Sequence, residues 1–203
     1  HEVVAFAKKY DIIVLHDNAY SELVFDGQSC GSFLSIPGAM EVGVEFNSLS
    51  KTYGLAGARI GFCVGNKEVV GMLKTLKSNM DYGMFLPIQA AAVEALTGNQ
   101  AVVAETRAAY EHRRDVLCDG LIEAGWHMEK PAGTMFVWAP IPDSYQDSES
   151  FVADLLDKTG VLVTPGSAFG PSGEGYVRMA VVQSEDTMKK IVEAVEVSGI
   201  FDK

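Results

Sequence analysis

The sequence has few cysteines, and their arrangement excludes two common classes of small protein. Cys30, Cys63 and Cys118 are odd in number, widely spaced and free of any C-x-x-C pair. This pattern argues against a disulfide framework and against a structural zinc site. Unpaired cysteines are typical of a reducing compartment, so we expect a cytoplasmic protein. His16, His112 and His127 form no ligand or triad pattern, and we predict no metal site.

Basic residues and long apolar runs are also scarce. The chain has 16 Lys and Arg against 27 Asp and Glu, a net charge of −11. A surface of this sign repels phosphate backbones and anionic membranes. The longest apolar stretches, such as residues 12–15, are far shorter than the roughly 18 residues of a membrane span. We therefore expect neither nucleic acid nor a membrane as a partner.

What the sequence does contain is enough apolar material for a folded core. It has 203 residues, of which 48% are hydrophobic. It begins at His1 without an initiator Met, and its first residues have the spacing of a helix already in progress. We therefore expect an N-terminal portion to be missing.

Hydrophobic periodicity and capping residues predict an α/β fold. Predicted helices cover residues 3–10, 66–80, a segment ending near 96–98, 99–124, 148–158 and a last segment capped by Ser184. Predicted strands cover residues 11–17, 44–48, 58–64, 134–139, 160–163 and 175–182, the first of them buried on both faces. The long helix at 99–124 is partly solvated and is predicted to bridge two domains.

Two groups of polar residues follow predicted strands. The first is Asp17 and Tyr20, in the segment HDNAY at the end of the strand at 11–17. The second is SLSKTYGLAGARIG, which runs from Ser48 to Gly61 and holds two serines, Lys51 and Arg59. Ligands of open α/β sheets bind outside the carboxyl ends of strands. Hydroxyls and a guanidinium bind phosphate, and a desolvated lysine amine attacks carbonyl groups.

The order and spacing of these groups resemble the class I and II aminotransferases of pyridoxal phosphate (PLP) fold type I. The matching pattern is D-x-A-Y, followed about thirty residues later by S-x-S-K-x-x-x-x-x-G-x-R-x-G. The resemblance extends to the segments PAGTMFVW from Pro131, PGSAFG from Pro165 and YVR from Tyr176. It implies that residues 1–105 are the C-terminal part of a PLP-binding large domain with a mixed, mostly parallel sheet. Residues 106–203 would then be a small C-terminal α/β domain.

The resemblance also implies a role for each motif residue. Lys51 would hold PLP through a Schiff base and then move the substrate proton. Asp17 would pair with the pyridinium nitrogen and Tyr20 with the ring oxygen. The phosphate would be held by Ser48, Ser50 and Arg59, and Arg178 would bind the substrate carboxylate through a bidentate pair. Trp138 and Phe169 are predicted to be core or pocket-wall residues, and Cys63 to be buried and inert.

The resemblance therefore implies an aminotransferase that acts on an L-amino acid and a 2-oxo acid, as a homodimer when full length. Within the family, the segment from Tyr20 to Gly27 looks closest to the aspartate, alanine and LL-diaminopimelate branch. A PLP-dependent carbon-sulfur lyase is the alternative, but that branch usually has Ile-His where this chain has Ala19 and Tyr20. Much of the family's cofactor pocket lies in the portion missing here. The 203-residue chain alone is accordingly expected to be an inactive, non-catalytic fragment.

Overall fold

A computed structural model describes residues 1–201, which divide into two units between Arg107 and Ala108. The division falls within a helix of 23 residues, α6, at Ala101–Glu123. The long helix predicted from residues 99–124 is thus confirmed. The assignment of residues 1–105 and 106–203 to a large and a small domain stays a prediction.

The first unit is built on a three-stranded mixed sheet. Strands β1 (Val14–Asp17), β2 (Gly43–Ser48) and β3 (Gly61–Gly65) lie in that order. The pair β1 and β2 is parallel and the pair β2 and β3 is antiparallel. The predicted α/β class with flanking helices is confirmed. Parallel and antiparallel pairs are equal in number among these three strands, so the sheet is mixed without a parallel majority.

The following helices flank this sheet; the first and the last two of them follow predicted segments, whereas the two four-residue helices between them were not predicted. They are α1 (Glu2–Tyr10), α2 (Ala39–Val42), α3 (Leu49–Thr52), α4 (Lys67–Met80) and α5 (Leu86–Thr97). The α4 helix begins at the predicted N-cap, because the side chain of Asn66 accepts hydrogen bonds from the amides of Glu68 and Val69. Pro87 lies in the first turn of α5, where its missing amide proton costs no helical hydrogen bond.

The prediction that the first strand is buried on both faces is wrong for the described residues. Burial alternates along β1, and Leu15 is 66% exposed. The inner residue Val14 instead packs beside Val4 and Ala39, which belong to a small core of α1 and α2. No element among residues 1–201 buries the Leu15 side chain, which explains the difference.

The second unit contains a separate three-stranded antiparallel sheet. Its strands β4 (Phe136–Pro140), β5 (Thr164–Pro165) and β6 (Tyr176–Ala180) are ordered β4-β6-β5. Helices α7 (Ser148–Thr159) and α8 (Glu185–Ser198) follow the predicted segments, and Ser184 caps α8 as predicted. The strand predicted at residues 160–163 is wrong. Gly160 adopts a left-handed conformation that ends α7, so pairing begins only at Thr164.

Aromatic and aliphatic side chains fill the core of this second unit. Trp126 is 2% exposed, donates its indole hydrogen bond to the Pro140 carbonyl at 2.8 Å, and meets the Phe151 ring edge-on at 5.3 Å. Leu155 of α7 and Val137 of β4 are also fully buried. Within residues 1–201, every helix falls short of the length and apolar character that a membrane span needs.

Candidate active site

The sheet topology of the first unit brings most of the predicted site residues to one edge. Because β1 and β2 are parallel, their carboxyl ends, Asp17 and Ser48, lie on the same side of the sheet. The antiparallel strand β3 starts at Gly61, which pairs with Ser48. Arg59, two residues before Gly61, therefore belongs to the same edge.

Lys51 is carried by the short helix α3, which follows β2 without a linker. The Ser48 side chain caps this helix by accepting a hydrogen bond from the Ser50 amide at 3.1 Å. Leu49 and Thr52 are buried and anchor the helix from below. Lys51 is half-buried, and its Nζ atom lies 5.7 Å from the centroid of the Tyr20 ring.

Asp17 and Tyr20 lie on the turn that leaves β1. Asp17 is exposed at the strand end, opposite Phe46 in the register. The next residue, Asn18, continues the pairing because its amide donates to the Phe46 carbonyl at 2.8 Å. Tyr20 is half-buried, and its carbonyl accepts from the Leu23 amide at 2.9 Å. The structure thus brings Tyr20 to Lys51 and fixes the backbone beside Asp17.

Arg59 is held by its backbone conformation rather than by a strand. The predicted strand at 58–64 begins only at Gly61, because residues 56–58 form a 3-10 turn and Arg59 is left-handed with φ 53°. Its guanidinium is exposed and donates to the Ala56 carbonyl at 3.0 Å. Gly61 permits the close pairing here, since a Cβ atom would lie 2.5 Å from the Asn47 carbonyl oxygen.

A buried carboxylate, which the sequence motifs did not single out, lies beneath this edge. Glu45 in β2 is 5% exposed and accepts side-chain hydrogen bonds from the following four residues: His16, Asn18, Ser32 and Asn47. Burial alone would raise the pKa of Glu45, but these hydrogen bonds outweigh burial and lower it to about 2. The one sequence signal was a charged residue between Val44 and Phe46 in an apolar strand.

Arg178 belongs to the second unit and is described there by itself. It lies in β6, with its guanidinium carbon 4.4 Å from the Phe136 ring centroid and 4.3 Å from that of Phe169. Trp138 packs edge-on against Phe169 with a centroid distance of 5.6 Å. Trp138 and Phe169 are 40% and 48% exposed, so they line the surface beside Arg178 and are not core residues.

The histidines and cysteines have ordinary structural surroundings. His16 Nδ1 lies 3.1 Å from Glu45, and His112 Nε2 lies 3.0 Å from Glu185. Burial raises the pKa of the Cys118 thiol to about 11, and it also raises the pKa of Cys63, which is half-buried rather than buried as predicted. Within residues 1–201, no three His, Cys, Asp or Glu side chains cluster as metal ligands.

The chain is similar to known proteins along nearly its whole length. The model of the family "Aminotransferase class I and II" matches residues 1–195. LL-diaminopimelate aminotransferase from Moorella thermoacetica is 48% identical over 192 residues, which are 95% of this chain and 49% of that protein. Glutamate-pyruvate aminotransferase AlaC from Escherichia coli is 46% identical over 197 residues, 96% of this chain and 48% of that protein.

Solved structures give the same result. Substrate-bound BacF from Bacillus subtilis superposes with a TM-score of 0.92 and 36% identity, covering 97% of this chain and 50% of that one. A probable N-succinyldiaminopimelate aminotransferase from Thermus thermophilus superposes with a TM-score of 0.89 and 32% identity, covering 97% and 52%. The chain therefore spans about half the length of the relatives it matches.

Proposed function

Since this chain belongs to the class I and II aminotransferase family, we propose that the protein containing it moves an amino group between an L-amino acid and a 2-oxo acid. The observation that carries the proposal is the sheet edge at which β1 and β2 end together. That edge combines the carboxylate of Asp17, the phenol of Tyr20 and the amine of Lys51. We propose this function for the whole protein, of which the chain is a part.

The donor set at this edge fits pyridoxal phosphate, the cofactor of the family. The cofactor has an aldehyde, a basic ring nitrogen and a phosphate, which require an amine, a carboxylate and a group of phosphate donors. Lys51, Asp17, Ser48, Ser50 and Arg59 supply these chemical types within one short edge. When bound, the cofactor supplies an electron sink for the carbanion formed at the substrate Cα.

Each residue then has a defined task. Asp17 holds a proton on the ring nitrogen through its negative charge. Lys51 accepts the proton from the substrate Cα and delivers it again, since its half-buried amine is held over the edge by the anchored helix α3. Tyr20 would donate a hydrogen bond to the ring oxygen of the cofactor. The two serines and Arg59 hold the phosphate, and their fixed backbone gives this site its orientation.

Arg178 is proposed to bind the substrate carboxylate. Its guanidinium is flanked by the rings of Phe136 and Phe169, which restrict it to one plane. A guanidinium of fixed plane loses little conformational freedom when it forms two parallel hydrogen bonds with a carboxylate. This arrangement suits any 2-amino acid and sets no side-chain preference.

The carbon-sulfur lyase alternative has less support, because the described residues after Asp17 match the transfer pattern and the curated relatives named above are aminotransferases.

We also propose a cytoplasmic homodimer. The segment at residues 79–85, which runs from the end of α4 to the residue before α5, resembles the family's subunit-contact segment, and Tyr82 and Phe85 in it are strongly exposed. Dimer formation by the whole protein is measured by sedimentation.

The test is a transaminase assay of the full-length gene product with PLP. Alanine, glutamate, aspartate and LL-diaminopimelate serve as donors, each with a series of 2-oxo acids. We expect Lys51→Ala to abolish transfer, whereas the control Lys74→Ala, on the exposed side of α4, leaves it unchanged. The 203-residue chain alone is expected to be inactive. Wild-type rates in Lys51→Ala would refute the proposal.

A further inference from the structure

Glu45 accepts hydrogen bonds from four residues in three segments of the first unit, and its two oxygens bind different partners. Its Oε1 atom accepts from the side-chain amides of Asn18 at 3.1 Å and Asn47 at 2.8 Å. Its Oε2 atom accepts from Ser32 Oγ at 2.6 Å and lies 3.1 Å from His16 Nδ1. One oxygen therefore connects the ends of β1 and β2, and the other connects β1 with the loop before α2.

The residues bonded to Oε1 are immediate neighbours of proposed site residues. Asn18 follows Asp17, and Asn47 precedes Ser48. The Asn47 side-chain oxygen also accepts from Ser21 Oγ at 3.4 Å, and Ser21 follows Tyr20. Three of the residues proposed to contact the cofactor thus each adjoin a member of this hydrogen-bonded group.

The strand geometry explains how such a group acts without touching the ligand. Side chains alternate between the two faces of a strand, so Glu45 and Asn47 lie on one face of β2 while Phe46 and Ser48 lie on the other. In the register, His16 pairs with Glu45 and Asp17 pairs with Phe46. Glu45 therefore connects β1 and β2 by hydrogen bonds on the face of the sheet opposite Asp17 and Ser48.

A charged carboxylate is costly to bury unless it is hydrogen-bonded, and both oxygens of Glu45 have hydrogen-bond partners. Among the described residues, no buried side-chain nitrogen or oxygen lacks a partner. Loss of the carboxylate would remove the acceptor of the side-chain NH2 groups of Asn18 and Asn47. The side-chain connection between the ends of β1 and β2 would then be lost, and their spacing would depend on backbone hydrogen bonds such as that from the Asn18 amide to the Phe46 carbonyl.

From this arrangement we infer that Glu45 is a positioning residue for the cofactor site, setting the spacing of Asp17 and Ser48 through Asn18 and Asn47. The inference rests on the proposed function, because it assigns to that spacing the task of matching the ring nitrogen and the phosphate of one ligand. Glu45 itself contacts neither.

The test measures the dissociation constant of pyridoxal phosphate for the full-length gene product by absorbance titration. Glu45→Leu removes both acceptors at similar volume, and we expect about 10-fold weaker binding. Glu45→Gln retains one acceptor oxygen for the Asn pair, and we expect it to restore most of the affinity. Circular dichroism verifies that each variant is folded.

A second comparison separates positioning from general stability. Asn47→Ala breaks the Oε1 side and is expected to weaken cofactor binding several-fold, about as much as a lost buried hydrogen bond. Ser32→Ala breaks the Oε2 side and is expected to leave the affinity within about 2-fold while lowering stability. In a Ser48→Ala background, the further loss from Asn47→Ala should be small, because the two residues act together.

Several outcomes would overturn the inference. One is an unchanged affinity for the cofactor in folded Glu45→Leu. Another is equal weakening of cofactor binding by Asn47→Ala and Ser32→Ala. A third is full additivity of the effects of Asn47→Ala and Ser48→Ala on cofactor binding. If Glu45→Leu does not fold, the Asn47 and Ser32 pair decides alone. A wild-type protein that does not bind the cofactor would refute the proposed function instead.

Discussion

The low pKa of Glu45 predicts that the first unit loses stability in acid. Because the pKa of Glu45 in the folded chain lies at about 2, below its ordinary value of 4.5, the charged carboxylate stabilises the folded state. This contribution is complete above pH 4.5 and is lost as the pH falls through 2. Since Glu45 is only 5% exposed, solvent screening reduces it little.

The magnitude follows from the two pKa values. A shift of this size corresponds to about 3 kcal/mol in total. Between pH 7 and pH 3 the unfolded state takes up the proton and the folded state does not, so about 2 kcal/mol is lost, a factor of ~30 in the opening equilibrium. Glu45→Gln cannot titrate, so its free energy of opening should lack this dependence.

Hydrogen exchange followed by mass spectrometry measures the free energy of opening in the whole chain. Peptides that cover β1 and β2 are compared after correction for intrinsic exchange rates. The matched control is Glu41→Gln, because Glu41 forms an exposed ion pair with Lys8 and should behave like the wild type. Protection in β1 and β2 that stays constant from pH 7 to pH 3 would refute the reasoning. An equal fall in Glu45→Gln would refute it as well.

Two further predictions concern packing in each unit. Leu155→Ala removes a fully buried side chain from α7 and should destabilise the second unit by about 2–5 kcal/mol, whereas Leu156→Ala, at a 42% exposed neighbour, should cost below about 1 kcal/mol. Urea unfolding followed by tryptophan fluorescence, which comes from Trp126 and Trp138 of this unit, measures both, and similar costs would contradict the assigned core. Gly61→Ala should disrupt the pairing with β2, because the new Cβ atom would lie 2.5 Å from the Asn47 carbonyl oxygen, whereas Gly57→Ala meets nothing within 4 Å. Hydrogen exchange in β2 distinguishes them, and unaltered protection in Gly61→Ala would contradict this close approach.

The position of the candidate site residues at one edge of the sheet could be predicted because it depends on local pattern and a simple topological rule. The apolar run before Asp17 and the run before Ser48 are recognisable as strands, and parallel strands end at the same edge. Helix caps such as Asn66 are equally local, since a side chain two or three residues away satisfies the first amides.

The features that could not be predicted depend on contacts between distant residues. The donors to Glu45 include Asn18, 27 residues away, and no local spacing indicates that they meet. The exposure of Leu15 depends on which elements pack against β1, and the sequence of β1 itself does not specify them. The failed strand at 160–163 depends on where α7 ends, and Gly160 sets that point through its left-handed conformation.

Lys51 is the residue that we propose to bond covalently to pyridoxal phosphate. Borohydride reduction of the cofactor-loaded, full-length gene product, followed by peptide mass mapping, tests this directly. We expect a single pyridoxyl mass addition on the peptide that contains Lys51, lost in Lys51→Ala and kept in Lys74→Ala. Labelling that is scattered over exposed lysines, or concentrated on a lysine other than Lys51, would contradict it.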